Sequence, residues 1–344
     1  MAKFRAGATE LRQAESGAVV EEPFEGEALP DTAEIEATVR EMLAQMDDQF
    51  VNILIIGATG SGKSSTVNSL FNMSVAKVGT TSDPETKDIT SYVLGNLTLW
   101  DTPGLGDSDE ADAKYAQQIS LKLDETNDDG DPLIDIALVV LDASSKDMGT
   151  SFRLISDTVL PHLHSEQGQK ILVAVNQADM AMKGNHWDYA ENKPDATLKE
   201  FLDEKIESVR RRIFESTGVE VEPIYYCAGY TDDDGTQRKA YNLAKLLYHI
   251  LKMVGGEKVF AFAGNINEDE GMFESNDDEE NYGERIAESF GDIFFQCVDD
   301  GAEKGGIAGG MIAGVPGLFV GMVVGSLFGG VVGLFKGIAR EFQK

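Results

Sequence analysis

The run VNILIIG at residues 51–57 passes without a break into Gly57-Ala-Thr-Gly-Ser-Gly62-Lys63-Ser64 and then into the helical pattern SSTVNSLF. Strand, glycine-rich turn and helix in immediate succession leave few folds open. An apolar strand of this kind belongs inside a parallel sheet, and the helix leaving its carboxyl end must cross back over that sheet. The turn has the spacing of a phosphate-binding loop. Its glycines, Gly57, Gly60 and Gly62, let the amides of the loop, those of Thr59 and Ser61 included, approach phosphate oxygens, and the helix N-terminus adds partial positive charge. Lys63 bridges the terminal phosphates, the Ser64 hydroxyl ligates Mg2+, and Ser65 extends the contacts into the first helical turn.

The same alternation continues downstream. NLTLWD, IDIALVVLDA, ILVAVNQ and VEPIYYCAG are short apolar runs separated by helical patterns. A doubly wound, mainly parallel α/β domain over 51–254 is therefore expected, with ligands at the carboxyl ends of the strands. Around it the sequence predicts a mobile acidic lead at 1–30 and an amphipathic helix at 31–50, where Asp31 and Glu34 have the form of a capping box. Residues 268–284 hold nine acidic side chains and no basic one. An acidic linker is accordingly expected over 255–284, followed at 285–344 by an amphipathic helix and a glycine-patterned tail.

Two further clusters complete a nucleotide site. Asp101-Thr-Pro-Gly104 ends a strand, where a carboxylate can hold Mg2+ and Gly104 can offer an N–H to a γ-phosphate. Asn176-Gln177-Ala-Asp179 follows ILVAV. Guanine presents two donors on one edge, which a carboxylate accepts as a bidentate pair, so Asp179 points to GTP and GDP over ATP.

GATGSGKS, DTPG, NQAD and the later Cys227-Ala228 occur in the order and spacing of the translation-factor-related GTPases, and the sequence resembles most the Era-like bacterial GTPases of the prophage YeeP/YfjP type. Immunity-related and septin-type GTPases are similar at greater distance. The resemblance spans about residues 51–254. It implies hydrolysis of GTP to GDP and phosphate with Mg2+ as cofactor. It also implies a switch threonine, Thr86, closing on the metal with Thr80, Thr81 and Thr90 as competitors, and a loop at Cys227 and Ala228 whose backbone nears the guanine oxygen. Two residues depart from the pattern. Gln177 replaces the usual Lys, losing a charge, and Leu105 stands where some members carry a water-orienting glutamine, so slow intrinsic hydrolysis is expected. Gly60 stands where some relatives carry a potassium-binding Asn, so potassium activation is not expected.

A net charge of −31 disfavours nucleic acid as a partner, since such binding draws on Lys and Arg releasing counterions. With Cys227 and Cys297 the only cysteines and no signal-like apolar core at the start, a cytoplasmic location is expected. The tail is the exception to ordinary composition. A small residue recurs every fourth position from Gly301 to Gly337, and most of this ladder lies in an uncharged run at 305–335. Each glycine costs an isolated helix about 0.8–1.0 kcal/mol relative to alanine. Insertion at the cytoplasmic face of a membrane compensates that cost, and so does burial against the protein itself or a second copy. A nucleotide-controlled switch coupled to membrane association or self-assembly is one expectation. A membrane-inserting effector or toxin governed by a GTP domain and a scaffold with little turnover are the others. His162 and His164 are assigned surface or capping roles. His186 and Trp187 either wall the nucleotide or anchor their loop by packing.

Overall fold

The computed structural model describes residues 49–73, 77–79, 88–106, 108–145, 149–164, 170–231, 237–262, 265–267, 269–286, 289–290 and 293. The lead 1–30, the helix expected at 31–50 except for its last two residues, Thr86, Cys297 and the glycine-patterned tract lie outside them. Among the described residues no helix is long and apolar enough to cross a membrane.

The chain runs β1 (Val51–Gly57), α1 (Lys63–Leu70), β2 (Lys77–Gly79), β3 (Thr90–Leu94), β4 (Leu97–Asp101), α2 (Asp109–Asp124), β5 (Ile136–Asp142) and α3 (Gly149–Arg153). A π turn at Leu154–Val159 and a 3-10 turn at Leu160–His162 prolong α3. Then come β6 (Lys170–Asn176), β7 (Trp187–Asp188), β8 (Lys193–Pro194), α4 (Ala196–Thr217), β9 (Ile224–Tyr225), β10 (Tyr230–Thr231), β11 (Gln237–Arg238) and α5 (Leu243–Val254). The seven-stranded sheet has the order β2-β3-β4-β1-β5-β6-β9. Its pairings from β4 to β9 are parallel, and β2 and β3 form an antiparallel edge. The expected mainly parallel α/β architecture is thus present.

Strand parity divides the core. Ile53, Ile55, Leu138 and Val140 face α1 and α5, whereas Leu54, Ile56, Val139 and Leu141 face α2, α3 and α4. Both faces are apolar because both are covered, which is why these strands read as continuous rather than alternating hydrophobic runs. The longest helix shows how sequence sets its ends. The Asp195 carboxylate accepts the Leu198 amide at 2.9 Å, and Gly218 closes the helix with φ of 73°. Between them Leu198, Leu202, Val209 and Ile213 form the buried stripe.

The segment expected to be a solvated linker at 255–284 is packed. Val259, Phe262, Ile266, Phe273 and Tyr282 are buried in the core beneath α5, joined by Ile286 and Phe290 beyond. Two of its acidic residues meet cations of the helices: Lys245 of α5 donates to Asp277 at 2.7 Å and to Glu279 at 2.9 Å, and Lys199 of α4 donates to Glu279 at 3.2 Å. The Asp277 side chain is nearly inaccessible. Lys245 holds its carboxyl below the usual range against the opposing effect of burial. Charge density concealed an apolar pattern too irregular to match a helix or strand period.

Candidate functional site

Register brings the predicted residues to one end of the sheet. Ile55 pairs with Asp101, Gly57 with Val140 and Asp142 with Asn176, so Gly57, Asp101 and Asn176 emerge together at strand carboxyl ends. The loop between β1 and α1 spans Ala58 to Gly62, with Gly62 at φ of 89°, a backbone conformation that L side chains rarely adopt. A Cβ there would also come within 2.1 Å of Asn176 Nδ2.

Lys63 opens α1 with only 8% of its surface exposed. Its ammonium donates to the carbonyls of Gly57 at 3.0 Å and Ala58 at 3.1 Å, which curls the loop around it. Burial lowers its pKa, and the Asp101 carboxylate opposes that shift. Burial likewise raises the Asp101 carboxyl above the usual range, against the pull of Lys63 and of the Ser64 hydroxyl, which donates to Oδ2 at 3.5 Å. The other oxygen, Oδ1, is buried and has no hydrogen-bond partner. A buried anionic oxygen left bare beside a hydroxyl suits a hard cation that takes oxygen ligands, so the residues present fit Mg2+. Ser61 Oγ is also buried without a partner inside the loop. Ser65 lies half-buried in the first turn of α1.

Gly104 is pressed against the loop. A Cβ there would approach Thr59 Oγ1 to 2.4 Å and Thr59 Cα to 2.6 Å. The Thr59 amide donates to the Leu105 carbonyl at 2.8 Å, and the Leu105 side chain is buried in the core. Asp101, Gly104 and the phosphate-binding loop are consequently one contiguous unit.

The base-reading cluster is knitted to the same loop. Asn176 Nδ2 donates to Ser61 O at 3.0 Å, while its Oδ1 accepts the Ala228 amide at 3.0 Å. Gln177 Nε2 donates to Gly60 O at 2.6 Å, so this side chain ties down the phosphate loop through a neutral amide in place of an ammonium. Asp179 is 5% exposed and Cys227 3%. The Cys227 thiol donates to Asp179 Oδ1 at 3.3 Å, and the Asp179 amide donates to Cys227 Sγ at the same distance. Burial raises the Asp179 carboxyl, opposed by the thiol, nearby amides and Arg238. The thiol itself is raised well above its ordinary value by burial and by the charge of Asp179.

Sequence reasoning missed a brace behind these residues. The Tyr226 and Thr66 hydroxyls lie 2.6 Å apart, Thr66 also donates to Gly62 O at 2.8 Å, and Ser69 donates to Ala228 O at 2.5 Å. The polar positions of α1 in SSTVNSLF carried the only signal, since a hydroxyl on an otherwise buried helix face needs a partner. Trp187 packs edge-on against Tyr241 with ring centroids 5.2 Å apart, and His186 bonds Asp195 at 2.8 Å, so both anchor their loop. His162 and His164 both bond Asp124, joining the ends of α2 and α3. Among the described residues no group of three or more His, Cys, Asp or Glu side chains could hold a metal ion.

Residues 52–177 match the family described as 50S ribosome-binding GTPase. No curated protein matches the chain. Among solved structures, the G domain of the FeoB iron transporter of T. maritima is 17% identical, covering 52% of this chain and 88% of that one with a TM-score of 0.30. Toc33 from Arabidopsis thaliana in complex with Mg2+ and GMPPNP is 18% identical, covering 65% of this chain and 92% of that one with a TM-score of 0.40. The family match covers the phosphate-binding loop, Asp101, Gly104, Asn176 and Gln177 and stops short of Asp179, Cys227 and Ala228, and the chain carries a P-loop GTPase domain.

Proposed function

We propose that the protein binds Mg2+ with GTP or GDP and hydrolyses GTP to GDP and phosphate as a nucleotide-controlled switch. The observation that carries this is the joining of Asn176 and Gln177 to Ser61 and Gly60, which sets a carboxylate for guanine at a fixed distance from a cradle for phosphates. The loop amides and Lys63 hold the phosphate tail, Asp179 accepts the two guanine donors, and Ala228 presents backbone to the guanine oxygen. Ser64 and Asp101 would hold Mg2+, with Thr86 the switch residue the resemblance implies as a further ligand. When bound, the ion would supply neutralisation of negative charge on the phosphates.

In hydrolysis the oxygen of water bonds to the γ-phosphorus and the bond to the β–γ bridging oxygen breaks, leaving its electron pair on GDP. The water protons pass to the phosphate product and to solvent. Leu105 is turned into the core and cannot orient this water, so unassisted turnover is slow. The Gly104 amide offers an N–H to the γ-phosphate. At 305–335 the tail engages the cytoplasmic face of a membrane or a second copy, and the packed segment at 256–290 links it to the switch. A chain of net charge −31 is poorly suited to ribosomal RNA, which disfavours the ribosome-directed role that the family description carries.

Calorimetry with GTP, GDP and ATP in Mg2+, on the intact protein and on Asp179→Ala, tests the assignment together with phosphate release. Guanine-selective binding that the substitution greatly weakens is expected. Equal affinity for ATP, or GTP binding indifferent to the substitution, sinks it.

A further inference from the structure

A cavity of about 580 Å3 opens between α3 and α4, beyond the carboxyl end of β5 and outside the nucleotide site. That volume falls in the range of small-molecule sites. Its apolar lining comes from Phe152 of α3, Phe201 of α4 and Met182 of the turn that follows Asp179. Among the described residues three cations, Lys183, Lys205 and Arg212, line it with one carboxylate, Glu204, and the Asp142 carboxylate lies close enough to act on Lys205.

These cations differ from many others in the chain, though not from all, since Lys170 also lies against a carbonyl, that of Met253. Elsewhere Lys114, Lys122, Lys199, Lys245, Lys258 and Arg285 all lie against carboxylates, as a net charge of −31 leads one to expect. Among the described residues neither Lys183 nor Arg212 has a carboxylate partner. Arg212 instead lies 5.2 Å from the centroid of the Phe152 ring and Lys205 lies 5.8 Å from that of Phe201. Lys205 is further fixed by the carbonyls of Ala143 at 2.6 Å and Ser145 at 2.8 Å. Rings beside fixed cations suit a flat apolar body that carries an anionic group.

The rim connects this cavity to guanine recognition. Met182 and Lys183 have φ of 51° and 62°, the left-handed region that L side chains disfavour, and they belong to the same 3-10 segment, Ala178–Gly184, that holds Asp179. A ligand in contact with both selects one geometry of that turn, and such coupling acts equally in both directions.

We propose that the cavity between α3 and α4 binds a small organic anion with a flat aromatic body, and that its occupancy alters guanine-nucleotide affinity through the turn at Met182 and Lys183. The binding site stands independently, whereas the coupling rests on the guanine assignment to Asp179 made above.

The probe is 8-anilinonaphthalene-1-sulfonate, titrated by fluorescence into the nucleotide-free full chain, with Arg212→Glu and Phe152→Ala as variants and uncharged N-phenyl-1-naphthylamine as control. Both variants are expected to weaken sulfonate binding tenfold or more while leaving GDP affinity by calorimetry within twofold of the parent. The uncharged analogue is expected to bind at least tenfold more weakly than the sulfonate. Saturating sulfonate should shift GDP affinity threefold or more, and GDP should shift sulfonate affinity by the same factor. Sulfonate binding unchanged in both variants overturns the site, and a reciprocal factor of one overturns the coupling. Sulfonate binding as expected in a protein that binds no guanine nucleotide upholds the site and overturns the guanine assignment alone.

Discussion

The two ends of the nucleotide site differ in how far they are built without ligand. At the base end Asn176, Gln177, Asp179 and Cys227 are all engaged, to the phosphate loop, to Ala228 or to one another. At the phosphate end Asp101 Oδ1 and Ser61 Oγ are buried and bare. On the proposed assignment the contrast means that guanine would meet a preorganised receptor, whereas the phosphates and their metal would complete the other end. Preorganisation favours affinity and selectivity. An incomplete site favours response to what fills it, which is the property a switch requires.

The largest effect expected from disturbing this asymmetry is at Lys63. Lys63→Ala removes a buried cation and its bonds to Gly57 and Ala58, and GTP affinity by calorimetry should fall about a hundredfold, about 2.8 kcal/mol. A fall under threefold would mean that the loop holds phosphate by its amides alone.

Asp101→Asn should act in two directions. The Asp101 carboxyl is raised above its ordinary value by burial, so the folded nucleotide-free protein binds this proton more readily than the unfolded chain. Stability from this group is therefore lost as pH rises through the window above the ordinary value of about 3.9. The substitution should raise the thermal midpoint of the nucleotide-free protein at pH 7, with the difference shrinking as pH falls toward about 4. It should also weaken Mg2+-dependent GTP binding about tenfold, about 1.4 kcal/mol. A lowered midpoint at pH 7 contradicts the incomplete site.

The smallest effect is at the base end. Cys227→Ala removes the thiol from Asp179 and should weaken GDP binding about fivefold, about 1 kcal/mol, with Cys227→Ser within about twofold of the parent. Equal affinity in all three proteins would show that Asp179 is held by its own turn.

Much of the site was legible because its residues are specified locally. Gly57, Asp101 and Asn176 each close a strand, Asp179 follows three residues after Asn176, and strand ends are readable from apolar runs. What escaped depends on distance in sequence. Tyr226 meets Thr66 across 160 positions, and nothing local to VEPIYYCAG marks one tyrosine as a brace. The segment at 255–284 failed for another reason: its acidic residues set the average, while Phe262, Ile266, Phe273 and Tyr282 set the structure. The parity of the two core faces was inaccessible too, because strands covered on both sides show no alternation to count.

The packing of that acidic segment changes the reach of the tail. A chain let go at Val254 has 50 residues before Gly305 and an extended span of about 170 Å. Anchored through Phe290 beneath α5, it has 14, or about 50 Å. Should the proposed association of the glycine-patterned tract hold, the GTPase domain would be tethered by less than a third of the longer span, close to whatever the tract engages.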